Sequence, residues 1–181
     1  MWQQLNYSAI KWHDIANGVG VRVSLFVSGC TTHCRNCFNK NTWDFHNGEP
    51  FDEEIQQQIL NALNPEYISG LSLLGGEPLE PQNQRSLLPF VQKVKSLYPN
   101  KTVWCYTGFT VDEKNGVLCE HHKNTDCTEK LISLFDVVVD GAYIDDLKDI
   151  RLKYRGSSNQ RILDIKQTLS TKTPVLLFEK E

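Results

Sequence analysis

Segments with strand periodicity and segments with helix periodicity alternate along this chain, and that order does most to limit its fold. Val21, Val23, Leu25 and Val27 recur at period two, with Arg22, Ser24 and Phe26 between them, and the run stops at Ser28-Gly29. Asp52 is placed to cap a helix reaching about Asn64, with Ile55, Ile59 and Leu63 on one face and Asp52, Glu53 and Glu54 at its positive end. Residues 71–74 read as a short buried strand ending at Gly75-Gly76. A second helix is expected over 83–98, with an irregular start because Pro89 lies within it. Thr102–Tyr106 reads as a third strand, ending at Thr107-Gly108. A helix near 129–135 leads to a fourth strand at 137–139, which ends at Asp140-Gly141.

Strands separated by helices favour right-handed β-α-β units and a parallel sheet. Ligands of such sheets bind at the carboxyl ends of the strands. The loops after 27, 74, 106 and 139 should therefore share one rim. With 181 residues the chain is short for a closed eightfold α/β barrel, which typically needs about 250. We expect one domain over 1–181, with the polar stretch at about 112–127 as an inserted loop. A loosely defined strand is expected at 174–178, beyond a segment that starts basic at Arg151. An apolar content of 40% and a charged content of 23% exclude a disordered tail or a membrane protein. No stretch approaches the roughly 20 apolar residues of a membrane span. The opening Met1-Trp2-Gln3-Gln4-Leu5-Asn6 lacks the character of an export signal. A net charge of −3 argues against a general nucleic-acid binder. A cytoplasmic location is expected.

Six cysteines are present, and three of them, Cys30, Cys34 and Cys37, fall within eight residues as Cys-x3-Cys-x2-Cys. In a reducing compartment, clustered cysteines bind metal or do chemistry more often than they form disulfides. Thiolates hold cubane iron–sulfur clusters, normally four at a time. Three would leave one iron open to a substrate. A structural zinc completed by His33, Cys105, Cys119 or Cys127 uses the same thiols, and spacing alone leaves both readings standing. Cys105 reads as a small hydrophobe in a strand. Cys119, His121, His122 and Cys127 form a second group that could bind zinc.

The three-cysteine spacing resembles that of the radical S-adenosylmethionine enzymes, and Gly75-Gly76-Glu77-Pro78 after a strand resembles their GGEP motif. Further runs resemble one family within that group, the anaerobic ribonucleoside-triphosphate reductase activating proteins. These are Asn17 to Cys30, Cys37-Phe38-Asn39-Lys40-Asn41-Thr42-Trp43, Pro78 to Asn83, Trp104 to Phe109, Val138 to Gly141 and Arg155 to Arg161. The resemblance covers roughly residues 6 to 165, with gaps.

The resemblance implies a shortened, open, partial TIM-like βα barrel of the radical S-adenosylmethionine type. It implies a [4Fe-4S] cluster on Cys30, Cys34 and Cys37, with S-adenosylmethionine chelating the fourth iron. Gly75, Gly76, Glu77 and Pro78 would hold its methionine end, with Glu77 accepting hydrogen bonds from the ammonium group. Phe38 would pack near the adenine. Thr107 and Asp140, ending neighbouring strands, are candidates to bond the ribose or methionine moiety. An electron from a donor such as flavodoxin would break the sulfur–C5′ bond homolytically, giving methionine and a 5′-deoxyadenosyl radical. That radical would take a hydrogen atom from the α-carbon of a glycine on the large reductase subunit. The stretch from Arg155 to Arg161 could contact that partner or close over the site. Two alternatives remain: activation of another glycyl-radical enzyme of the formate-lyase type, and a non-catalytic zinc-stabilised binding module. No nucleic acid or membrane partner is expected.

Overall fold

The alternation becomes a mixed sheet with a parallel centre. The computed structural model describes residues 4–178, so Met1 to Gln3 and Glu179 to Glu181 lie outside the described residues. In chain order, β1 (Asn6–Asp14) and β2 (Val21–Val27) lie antiparallel and β3 (Glu49–Pro50) borders β1. Next come α1 (Glu53–Leu63), β4 (Ile68–Gly75), α2 (Pro81–Leu97) and β5 (Thr102–Tyr106). A hairpin of β6 (Val111–Asp112) and β7 (Val117–Leu118) precedes α3 (Thr128–Leu134) and β8 (Val137–Asp140). The elements end with β9 (Arg161–Asp164) and α4 (Ile165–Thr171).

The main sheet has the order β3-β1-β2-β4-β5-β8-β9. β2, β4, β5 and β8 run parallel, and the outer strands run antiparallel to their neighbours. With β3 at one edge and β9 at the other, the sheet does not close into a barrel.

Alternation along each strand sorts two faces. Val23, Leu25, Val27, Leu71, Leu73, Val103, Cys105, Val138 and Leu163 belong to the core formed with the helices. Burying each such Val or Leu contributes about 1.5–3 kcal/mol relative to leaving it in water. The intervening Trp104, Val137, Val139 and Ile162 form a second cluster, joined by Tyr106 and Tyr154. On that second face lies Arg22, which is fully buried. Its N–H groups donate to Ser72 Oγ, Thr102 Oγ1 and the carbonyls of Val19, Leu71 and Thr102, and its guanidinium lies 5.5 Å from the Trp104 ring centroid. A buried charge persists because its donors are satisfied. Burial still draws its pKa down to about 10.

Asp52 caps α1, its carboxylate accepting from Ile55 N at 3.0 Å. α2 starts two residues before the expected Asn83. Pro81 occupies its first turn, where a missing N–H costs nothing, and the helix continues through Pro89. The tail forms only a bridge between Leu163 and Leu176 rather than a strand over 174–178. β1, β9 and α4 were not anticipated. Among the described residues no helix is long and apolar enough to cross a membrane.

Candidate functional site

The four parallel strands deliver their following loops to one cavity, as the alternation implied. It has a volume of about 210 Å³ and is lined by Cys30, Cys34 and Cys37 after β2, Gly75 to Glu77 after β4, Tyr106 to Gly108 after β5, and Gly141 after β8. The space far exceeds one water's share of about 30 Å³. A second cavity of about 390 Å³ adjoins it, sharing Cys34, Cys37, Asn39, Tyr106, Tyr143 and Gln160, and adding Phe38 and Arg155.

The cysteine loop coils through two left-handed residues, His33 (φ 47°) and Asn36 (φ 57°). Such conformations cost about 1–3 kcal/mol each and persist only where the surroundings impose them. Here Cys30 N donates to Trp43 O and Gly29 N to Thr42 O, and the His33 ring stacks on Trp43 at 4.3 Å. Glu77 N donates back to Gly29 O at 2.8 Å, so the loops after β2 and β4 are joined directly. At Gly76, a Cβ would sit 2.7 Å from Gly29 O and 3.0 Å from Thr42 O, so only glycine allows this approach.

Burial pushes the Cys30 thiol up, against the opposing donation from the backbone of Thr32 and His33. Burial also pushes Cys34 up, against a backbone N–H from Tyr143. Such thiols ligate as thiolates once a cation supplies the compensating charge. Asn39 N donates to Cys37 Sγ at 3.4 Å. Tyr106 lines both cavities, while its hydroxyl is buried and has no partner among the described residues. Three thiols sharing a cavity with the glycine-lined loop after β4 fit a cluster with a further ligand beside it.

Among the described residues no three His, Cys, Asp or Glu side chains gather as a single metal ion requires. A cubane distributes its thiolates over separate irons, so a shared cavity suffices for Cys30, Cys34 and Cys37. Cys119 is exposed, His121 and His122 lie on an exposed single turn, and Cys127 immediately precedes α3. All six cysteines are free.

The remaining expected site residues lie in different surroundings. Glu77 is 2% exposed and its carboxylate is held within the chain: Oε1 accepts from Leu79 N and the Thr107 hydroxyl at 2.8 Å each, and Oε2 from Gly108 N at 2.7 Å. It is thus first a lock between loops, and most of its accepting capacity is used before any ammonium arrives. Burial pushes its pKa up to about 7. Thr107 lines the cavity, but its hydroxyl proton goes to Glu77. Asp140 does not reach the cavity: it is fully buried, accepting from Arg161 Nε and Nη2 and from Val111 N. Its need for a polar partner is met by Arg161 rather than by a ligand. Phe38 is 82% exposed, beside the larger cavity and under Lys148 Nζ at 5.1 Å from its ring centroid, outside the cavity of the three thiols. Pro78 does not line the cavity either.

The stretch from Arg155 to Arg161 is stitched to the loop after β8. Gln160 Nε2 donates to Gly141 O, and Asn159 Nδ2 donates to Ala142 O. That loop reaches the cysteines through Asn36, whose amide donates to Asp145 at 2.7 Å. Tyr106, Tyr143 and Gln160 were missed as site residues. Only their place beside strand ends could have signalled them.

The fold and the three-thiol cavity fit a protein of the single-cluster iron–sulfur class. A family model described as 4Fe-4S single cluster domain matches residues 16–163. The chain is 42% identical over 158 residues to the anaerobic ribonucleoside-triphosphate reductase-activating protein of Escherichia coli K12, covering 86% of this chain and 96% of that one. It is 43% identical over 160 residues to the protein of the same name from Pasteurella multocida, covering 87% and 96%. The one from Enterobacteria phage T4 is 35% identical over 158 residues, covering 87% and 93%. The chain belongs to the family of anaerobic ribonucleoside-triphosphate reductase-activating proteins.

Proposed function

We propose that this chain activates an anaerobic ribonucleoside-triphosphate reductase by generating a glycyl radical on its large subunit. The observation that carries the reading is the convergence of Cys30, Cys34 and Cys37 with the Gly75-Gly76-Glu77 loop on one cavity. In this reading the three thiols hold a [4Fe-4S] cluster, and the open sheet is the shortened barrel of a radical S-adenosylmethionine enzyme. The bound cluster and S-adenosylmethionine together supply one-electron reductive cleavage, and with it the means to remove a glycine hydrogen atom.

The protein's part is ligation, orientation and exclusion of water. Three thiols would leave one iron of such a cluster without a protein ligand. Gly76 lets the loop after β4 pack directly against the backbone of Gly29 and Thr42, beside the cysteines. The Glu77–Thr107–Gly108 contacts hold two rim loops at fixed separation. The larger cavity is the entry for a glycine-bearing segment of the partner, with Phe38 at its mouth. No acid–base pair is required, since a hydrogen atom rather than a proton is moved. We also assign one domain over 1–181 with an insertion near 112–127, a one-electron donor such as flavodoxin, and a cytoplasmic location.

The test is anaerobic reconstitution with iron and sulfide. The protein should bind about four irons and, once reduced, convert S-adenosylmethionine to 5′-deoxyadenosine and methionine. A colourless protein holding zinc and inert toward S-adenosylmethionine would overturn the reading.

A further inference from the structure

The polar segment between β6 and α3 is braced at both ends. At one end Arg161 Nη1 pairs with Glu113, and Arg161 Nη2 donates to Val111 O. At the other, Lys123 reaches the cysteine loop. Its ammonium donates to Thr31 Oγ1 at 2.6 Å and to Glu80 Oε2 at 2.9 Å. Glu80 Oε1 in turn accepts from the Thr31 backbone N–H at 2.9 Å and from its hydroxyl at 2.5 Å. The side chains of Lys123 and Glu80 are only 15% and 3% exposed. The backbone at Lys123 is fixed as well: fully buried Gln84 donates from Nε2 to Lys123 O at 2.9 Å.

Thr31 directly follows Cys30, and Glu80 sits at the start of α2, just after the Gly75-Gly76-Glu77 loop. One carboxylate therefore ties the cysteine loop to that loop, and one ammonium neutralises the carboxylate. A buried carboxylate without a cation is strongly disfavoured, so loss of Lys123 would loosen the grip on Thr31. The charge holding this link comes from the segment that reads in sequence as a mere insertion.

We propose that Lys123 is a positioning residue for the cysteine loop, fixing Cys30 relative to the Gly75-Gly76-Glu77 loop through Glu80 and Thr31. The proposal rests on Cys30, Cys34 and Cys37 carrying the cluster. The test compares reconstituted wild type, Lys123→Met and Lys123→Arg for bound iron, for the electron paramagnetic resonance spectrum of the reduced cluster with and without S-adenosylmethionine, and for S-adenosylmethionine affinity. Methionine keeps the stem over Phe109, whose ring centroid lies 5.4 Å from the ammonium.

Lys123→Met should keep the wild-type circular dichroism, broaden or shift the reduced-cluster spectrum with S-adenosylmethionine, and weaken its binding about tenfold. Lys123→Arg should restore both. Should Lys123→Met fail to fold, Thr31→Val removes the shared hydroxyl while keeping the Lys123–Glu80 pair, and should change spectrum and affinity in the same direction. An unchanged spectrum and affinity in the variant that folds, on a fully loaded cluster, overturns the role of Lys123. Failure of the wild type itself to load iron instead overturns the cluster reading beneath it.

Discussion

The Thr107 hydroxyl donates to Glu77 Oε1 at 2.8 Å, joining the loop after β5 to the loop after β4 beneath the cysteines. Thr107 Oγ1 also accepts from Phe109 N, and Glu77 Oε2 accepts from Gly108 N. All the donors named around Glu77 point inward. Glu77→Gln must therefore set an amide NH₂ against an N–H or O–H donor, and should cost about 1–3 kcal/mol. Thr107→Val should be non-additive with it, with a coupling of about 0.5–3 kcal/mol in a double-mutant cycle. Chemical denaturation of the metal-free protein reads both.

The cysteines should separate by role. Cys30→Ala, Cys34→Ala and Cys37→Ala each remove one thiol from the cavity and should lose most of the bound iron and its visible absorbance. Cys119→Ser with Cys127→Ser should retain it, since those residues lie away from the cavity. Cys105 is fully buried, and burial pushes its thiol well up, so it should resist alkylation in the folded state. Cys105→Val should cost less than about 1.5 kcal/mol.

Asp140 and Arg161 make a link whose breakage should be asymmetric. The Asp140 side chain is 1% exposed, and Arg161 is held in its charged form by hydrogen bonds to it. Arg161→Met leaves that carboxylate buried and unpaired, at a cost of about 3–5 kcal/mol. Adding Asp140→Asn to Arg161→Met should recover part of the loss, measured by thermal unfolding.

Asp136 gives the fold an acid-sensitive support. Burial raises its pKa, but Lys166 at 2.9 Å, Lys95 at 2.8 Å and the N–H of Val103 more than offset that and hold it below the usual value of 3.8. For a carboxyl depressed in the folded state, the stabilisation is complete above the unfolded value and is lost as pH falls through the folded one. Asp136→Asn should therefore cost about 1.5–3 kcal/mol at neutral pH. The gap to wild type should narrow only below about pH 4, as read by urea midpoints across pH.

What was legible in the sequence was what periodicity and local chemistry encode. The strand β2, the cap at Asp52 and the four loops that meet at the cavity follow from period-two apolar positions and the glycines after them. Contacts between distant residues were not legible. Nothing near Asp140 announces Arg161, which is 21 residues away, and nothing near Thr31 announces Glu80, 49 residues away. Hence the sequence leaves Asp140 a candidate for a ligand as much as for a structural role, and does not reveal the hold on the cysteine loop. β1 was missed because it lies near the sheet's edge, with little buried surface to impose alternation. Tyr106 was passed over because an aromatic residue in a strand has the pattern of a core residue, and only the structure isolates its hydroxyl.

The central claim is that this chain places a radical on a partner through the three-thiol cavity. The direct measurement is electron paramagnetic resonance of the anaerobic reductase after incubation with the reconstituted protein, S-adenosylmethionine and a one-electron reductant. A stable glycyl radical signal should form on the reductase, and Cys34→Ala should abolish it. A loaded wild-type protein that yields no radical on the reductase, or a Cys34→Ala variant that yields the same signal, would contradict the account.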